Sequence, residues 1–111
     1  MAELLLEQTR PRLELWPSAL RAGERVHIAF RAARVIGSMS VPRYEVTVLD
    51  ARRRRVATLL HGPARPVGGV VCVEWDGRDD RGRRVPPGSY QLRVEGVGFR
   101  LRLERTLLID S

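Results

Sequence analysis

The stretch Trp75-Asp76-Gly77-Arg78-Asp79-Asp80-Arg81-Gly82-Arg83-Arg84-Val85-Pro86-Pro87-Gly88-Ser89-Tyr90 joins two runs of alternating apolar and polar residues. Upstream, Val71, Val73 and Trp75 alternate with Cys72 and Glu74; downstream, Tyr90, Leu92 and Val94 alternate with Gln91, Arg93 and Glu95. Such a period of two sends alternate side chains to opposite faces of a strand. Inside the stretch, Asp76 and Asp79 suit Asx-type turns, in which a short carboxylate accepts backbone N–H bonds. Gly77 and Gly82 are free to take positive φ, and Pro87-Gly88 matches the centre of a type II turn. The stretch therefore reads as an ordered connection between two strands. Asp76, Asp79 and Asp80 also suit calcium by residue type. Their spacing is not that of an EF-hand loop, and arginines interleave with them, so no metal is expected.

The same alternation recurs outward from this connection. Val26, Ile28 and Phe30 face one way against Arg25, His27, Ala29 and Arg31. Tyr44, Val46 and Val48 oppose Glu45 and Thr47; Phe99, Leu101 and Leu103 oppose Arg100, Arg102 and Glu104. Each run has one dry and one wet face, as antiparallel sheets do. Breakers such as Pro17-Ser18, Gly37-Ser38, Gly62-Pro63 and Gly68-Gly69 separate them. Short strands between dense turn signals make an all-β antiparallel sandwich of about seven strands. They are expected near 11–16, 24–31, 42–50, 55–60, 69–75, 89–95 and 98–109. Residues 11–111 form one domain in this reading, and residues 1–10 an N-terminal arm or extra edge strand. No internal repeat stands out. The expected core is Val26, Ile28, Phe30, Tyr44, Val46, Val48, Val73, Trp75, Tyr90, Leu92, Val94, Leu101 and Leu103.

With 111 residues the chain is large enough to fold on a single apolar core, without metal or disulfide. All 20 basic residues are arginine, against 13 acidic ones, and the formal net charge is +7. Either codon bias or an anionic partner accounts for the excess, since guanidinium suits phosphate and carboxylate alike. Arg25, Arg31, Arg93, Arg100 and Arg102 fall on outward strand positions that keep a sheet face soluble. Only Arg52-Arg53-Arg54-Arg55 forms a run, at the tip of a hairpin. It reads either as a solvated turn or as a partner contact. The lone Cys72 lies in the apolar run Val70-Val71-Cys72-Val73, which suggests a buried thiol. The first residues lack a basic region, and no apolar stretch approaches the ~20 residues of a membrane span. The expectation is a soluble chain made in the cytoplasm.

Catalysis is not expected. His27 sits on an outward strand face and His61 before Gly62, and neither belongs to a nucleophile motif. No zinc-ligand spacing or phosphate-cradling glycine loop occurs, so no cofactor is implied. For nucleic acid the charge suits but the aromatics do not. Trp75, Tyr44, Tyr90, Phe30 and Phe99 fall on apolar faces, where bases cannot stack on them. Sequence-nonspecific phosphate contact is the weaker option left.

Residues 44–109 resemble the FlgD-type immunoglobulin-like domain, the C-terminal module of flagellar hook-capping proteins, also found at the ends of many secreted bacterial proteins. The resemblance rests on Val48, Asp50, Arg54, Val56, Ala57-Thr58-Leu59, Gly69 and Val73-Glu74-Trp75-Asp76-Gly77-Arg78-Asp79. It continues through Gly82-Arg83, Val85-Pro86, Gly88, Tyr90 and Leu92-Arg93-Val94. Trp16-Pro17 and Val26–Phe30 match the first strands more loosely. Arg53 stands where the family has a hairpin glycine, and the link at 32–42 looks longer than usual. Family members are mostly terminal appendages of larger exported chains, whereas this chain begins at Met1 and stands alone. The resemblance implies an immunoglobulin-like (fibronectin-III-like) sandwich and a non-catalytic module of assembly or attachment.

The functional expectation is thus a structural module making protein–protein contacts, or self-associating, within a larger particle or appendage. Phage capsids and tails, contractile injection devices and filaments are the settings considered. A carbohydrate- or surface-binding accessory module is the alternative, with Trp16 its one candidate aromatic. Leu4, Leu5, Leu6, Arg52, Arg53, Arg54 and Arg55 are the candidate partner contacts. A small-molecule substrate is not expected.

Overall fold

The computed structural model describes residues 11–21, 23–31 and 41–110. Eight strands occur among them and no helix: β1 (Arg12–Trp16), β2 (Ala19–Leu20), β3 (Val26–Arg31), β4 (Arg43–Leu49), β5 (Arg55–Pro63), β6 (Val70–Trp75), β7 (Gly88–Gly96) and β8 (Arg102–Ile109). They form a sheet of order β1-β3-β6 packed on a second of order β2-β8-β7-β4-β5. All pairings are antiparallel except β2 with β8. The chain passes from the first sheet to the second at Trp16–Pro17, whose peptide bond is cis.

The alternation places the core between the sheets. Val26, Ile28 and Phe30 of β3 meet Val46, Val48, Leu92 and Val94 of β4 and β7, all at 1% exposure or less. Two aromatic pairs bridge the layers at opposite ends. Phe30 and Tyr44 meet edge to face at 5.0 Å, and Trp75 and Tyr90 at 6.2 Å. Such contacts add specific geometry to a large buried apolar area.

Several expectations need correction. The two-residue β2 carries no alternation of its own, so it is visible only through its partner β8. β5 runs on to Pro63, and shifts of register in its pairing with β4 leave Val56 and Leu59 unopposed. β8 starts at Arg102, because Gly96 N–H donates to the Leu101 carbonyl and closes a tight turn before it. Val73 and Leu103 are only half-buried at the rim of the core, whereas Leu13, Leu20, Leu49, Ala57, Val71, Val85, Leu107 and Ile109 join it. Cys72 is exposed: Val71 and Trp75 point inward on β6, which turns the residue between Val71 and Val73 to solvent. Gly88 opens β7 with φ 152°, a positive value that favours glycine but is far from the value near +80° of a type II turn.

Candidate interaction site

One end of the sandwich gathers the Asp50–Arg54 turn between β4 and β5 and the Asp76–Pro87 connection between β6 and β7. Asp80 ties the second to β5, the strand that follows the first: its N–H donates to the Val56 carbonyl, and its Oδ1 accepts from Thr58 N–H at 2.9 Å. The Arg21–Glu24 turn lies at the same end, since Val26 at the start of β3 pairs with Trp75 at the end of β6.

The two arginine-bearing segments contain the same five-residue turn. In the first, Asp50 Oδ1 accepts from the N–H groups of Arg52 and Arg54, both at 2.9 Å. Arg53 N–H donates to the Asp50 carbonyl and Asp50 N–H to that of Arg54. In the second, Asp79 Oδ1 accepts from Arg81 and Arg83 at 2.9 Å, Gly82 N–H donates to the Asp79 carbonyl, and Asp79 N–H to that of Arg83. The fourth residue is left-handed in both, at φ 63° for Arg53 and 81° for Gly82. A three-residue hairpin loop of this kind favours glycine there; Arg53 fills the position without it. The shared pattern, Asp-x-Arg-x-Arg at 50–54 and 79–83, is written in the sequence but short enough to pass for chance.

Electrostatics follows from this geometry. The Asp50 carboxyl is held below the ordinary aspartate range, first by the Arg54 N–H and then by the Arg54 guanidinium, against some desolvation. Asp76 Oδ1 accepts from Arg78 N–H, and Trp75 Nε1–H donates to the Arg78 carbonyl at 2.8 Å. Tyr90 closes the connection by donating its hydroxyl to the Pro86 carbonyl at 2.6 Å. Burial, and next the charge of Asp50, raise the Tyr90 pKa, so the hydroxyl stays a donor at neutral pH.

Of the expected contacts, Arg52, Arg53, Arg54 and Arg55 lie exposed on the first turn and the start of β5. Arg53 reaches Glu104 at 3.2 Å and Arg54 reaches Asp50 at 3.0 Å. Arg52 and Arg55 have no carboxylate partner among the described residues, nor do Arg21, Arg81, Arg83 and Arg84, which sequence reasoning left unassigned. Asp76, Gly77, Asp79, Gly82, Pro87 and Gly88 build the neighbouring connection. Leu4, Leu5 and Leu6 lie outside the described residues.

The strand edges differ in how they are guarded. On β1, the Arg105 Nε–H from β8 donates to the Leu13 carbonyl at 3.0 Å, and Pro11 and Pro17 flank the strand. On β5, Asp80 occupies Val56 and Thr58, and Pro63 ends the strand. Among the described residues β3 is the only strand paired with β6; Val67 bridges to Val70 at its start, and β6 carries neither proline nor bulge along Val70–Trp75. A depression of about 460 Å³ runs between the edges of β5 and β6 and is lined by Thr58, Leu59, Glu74, Asp76, Asp79 and Asp80 among others. Its carboxylates are engaged: Glu74 with His27 and Arg25, Asp76 with Arg78, Asp79 and Asp80 with backbone N–H groups. No cluster of metal-ligating side chains occurs among the described residues. Trp16 is 53% exposed and stacks on His27 at 5.2 Å.

The model of the FlgD Ig-like domain family matches residues 31–98. No curated protein matches the chain. Among solved structures, FlgD from P. aeruginosa superposes with a TM-score of 0.59 at 20% identity, covering 90% of this chain and 74% of that one. PorZ, an essential bacterial surface component of the type-IX secretion system of Porphyromonas gingivalis, superposes at 0.56 and 15% identity; 89% of this chain spans only 11% of PorZ. The alkylpurine DNA glycosylase AlkC of Pseudomonas fluorescens superposes at 0.52 and 18% identity, with 90% of this chain on 29% of that enzyme.

Proposed function

The chain belongs to the FlgD Ig-like domain family, and from that premise we propose that it is a non-catalytic assembly module joining protein chains through the open edge of β6. The observation that carries this reading is the contrast between edges. β1 and β5 each carry a side-chain contact and a flanking proline, while on β6 the Val67 bridge takes only Val70, and the outward main-chain groups of Cys72 and Glu74 meet no further strand among the described residues. An unguarded apolar edge is a template for a further strand, and main-chain pairing supplies the affinity. FlgD and PorZ, which share the fold, support a setting in a surface structure or appendage. A phage tail or capsid and a contractile injection device are alternative settings of the same role.

The first partner to test is a second copy of the chain. Light scattering behind size exclusion, across concentration and salt, is expected to show a discrete oligomer or growing polymer. Oxidation is expected to link the chains through Cys72, the one cysteine and exposed on β6. Cys72→Lys, which adds a charge to that edge, is expected to return the chain to a monomer. A monomer under every condition, with no link at Cys72, overturns pairing through β6.

A second reading, a carbohydrate- or surface-binding module, is favoured by the exposed ring of Trp16 alone. Its test is retention of the wild-type chain, and loss of retention by Trp16→Ala, on immobilised polysaccharide.

A further inference from the structure

We propose that the paired turns dock on an acidic protein surface, with Arg21, Arg52, Arg55, Arg81, Arg83 and Arg84 gripping its carboxylates. The inference rests on the assembly reading and gives one partner its chemistry, on a surface separate from β6. These six side chains are exposed and have no carboxylate partner among the described residues. The aspartates beside them are spent inward. Asp50 and Asp79 each hold two backbone N–H groups, Asp76 one, and Asp80 reaches across to Thr58. The loops therefore use their negative charge to fix their own backbones and present positive charge outward.

Two features make this surface suited to recognition. Both turns are closed by the same set of hydrogen bonds, and Asp80 ties the second to β5, the strand the first leads into, so little backbone order remains to be imposed on binding. Arginine supplies planar forks that match carboxylates bidentately. A protein surface fits better than a nucleic acid. Duplex DNA offers a continuous line of phosphates, whereas these arginines stand on separate segments, Arg21 before β3, Arg52 and Arg55 around the β4–β5 turn, and Arg81, Arg83 and Arg84 between β6 and β7. Neither turn carries an aromatic side chain on which a base would stack. Discrete carboxylates on a protein face are compatible with an interrupted pattern of guanidiniums.

The test uses the full chain and two probes, poly-L-glutamate and a random-sequence DNA duplex, each titrated at low and physiological salt. One variant carries Arg52→Ser, Arg55→Ser, Arg81→Ser and Arg84→Ser. Its control carries Arg31→Ser, Arg43→Ser, Arg65→Ser and Arg100→Ser, which removes equal charge away from the paired turns. Poly-L-glutamate is expected to bind the wild type more tightly than DNA does at physiological salt. The turn variant is expected to lose at least about tenfold in affinity, and the control about twofold or less. Equal losses in the two variants, or no binding of poly-L-glutamate, overturn the proposal. Tighter binding of the duplex also overturns it and reassigns the surface to nucleic acid. Cys72→Lys is expected to keep poly-L-glutamate binding, so failure here and failure of the β6 edge are read separately.

Discussion

Replacing Tyr90 by phenylalanine removes one oxygen from the junction between the arginine connection and β7. That hydroxyl donates to the Pro86 carbonyl at 2.6 Å from a side chain only 6% exposed. A hydrogen bond of this kind contributes about 1 kcal/mol net, and a carbonyl left without its partner adds to the loss. The ring keeps its place against Trp75, 6.2 Å away, so no cavity term arises. Tyr90→Phe is therefore expected to cost about 1–2 kcal/mol, or a drop in Tm of roughly 4–8 °C per kcal/mol for a domain of this size. Urea unfolding followed by tryptophan fluorescence and by circular dichroism measures it, with an unchanged denaturant slope showing that both states keep their compactness. Burial and the charge of Asp50 raise the Tyr90 pKa. The neutral hydroxyl is thus favoured by folding, and that stability is present below the unfolded value near ~10 and lost as pH rises through the folded one. The variant should lack this share of the alkaline loss. A cost under about 0.5 kcal/mol, with the alkaline limb unchanged, would refute the assignment of Tyr90 as the tie that seats the connection.

Arg53 is left-handed where its twin turn has Gly82, so Arg53→Gly should be more stable than Arg53→Ala by about 1 kcal/mol. Both variants lose the same guanidinium, and chemical denaturation compares them directly. Asp80→Ala leaves Thr58 N–H without its acceptor and should cost about 1 kcal/mol. It should also raise the tendency to associate through β5, read by light scattering. At Gly96 an added Cβ would sit 2.7 Å from the Phe99 ring, so Gly96→Ala should cost about 1–3 kcal/mol. Phe99→Leu in the same chain should recover part of that loss in thermal melts. Burial works to raise Glu104, but the Arg53 and Arg93 guanidiniums outweigh it and hold the carboxyl low. Folding thus favours the charged form, and its stability is present above the ordinary glutamate value and lost as pH falls through the depressed one. Urea midpoints should decline below about pH 4, and Glu104→Gln should flatten that decline.

The strands were legible because their information is local. Alternation at Val26–Arg31, Tyr44–Val48 and Tyr90–Glu95 names the buried face without knowledge of any neighbour. The Asp and Gly residues of 76–82 likewise carry their turn chemistry in their own side chains. The sandwich and its family were readable from these pieces together. What a partner strand decides was not readable. Cys72 sits in an apolar run, yet it falls on the face of β6 opposite the buried Val71 and Trp75, and that face stays exposed. Ala19–Leu20 became a strand only through the end of β8.

The sequence by itself determined the all-β class, most of the core and the residue types of both arginine segments, since these depend on periodicity and on side chains acting on their own backbone. Tertiary structure alone decided that Asp50–Arg54 and Asp79–Arg83 stand at the same end as one cationic surface, and that among the described residues Cys72 and Glu74 of β6 face no further strand. The physical reason is that both depend on contacts between segments distant in the chain. Asp80 bridging to Val56 and Thr58, and Arg105 reaching the Leu13 carbonyl, are bonds no local pattern encodes.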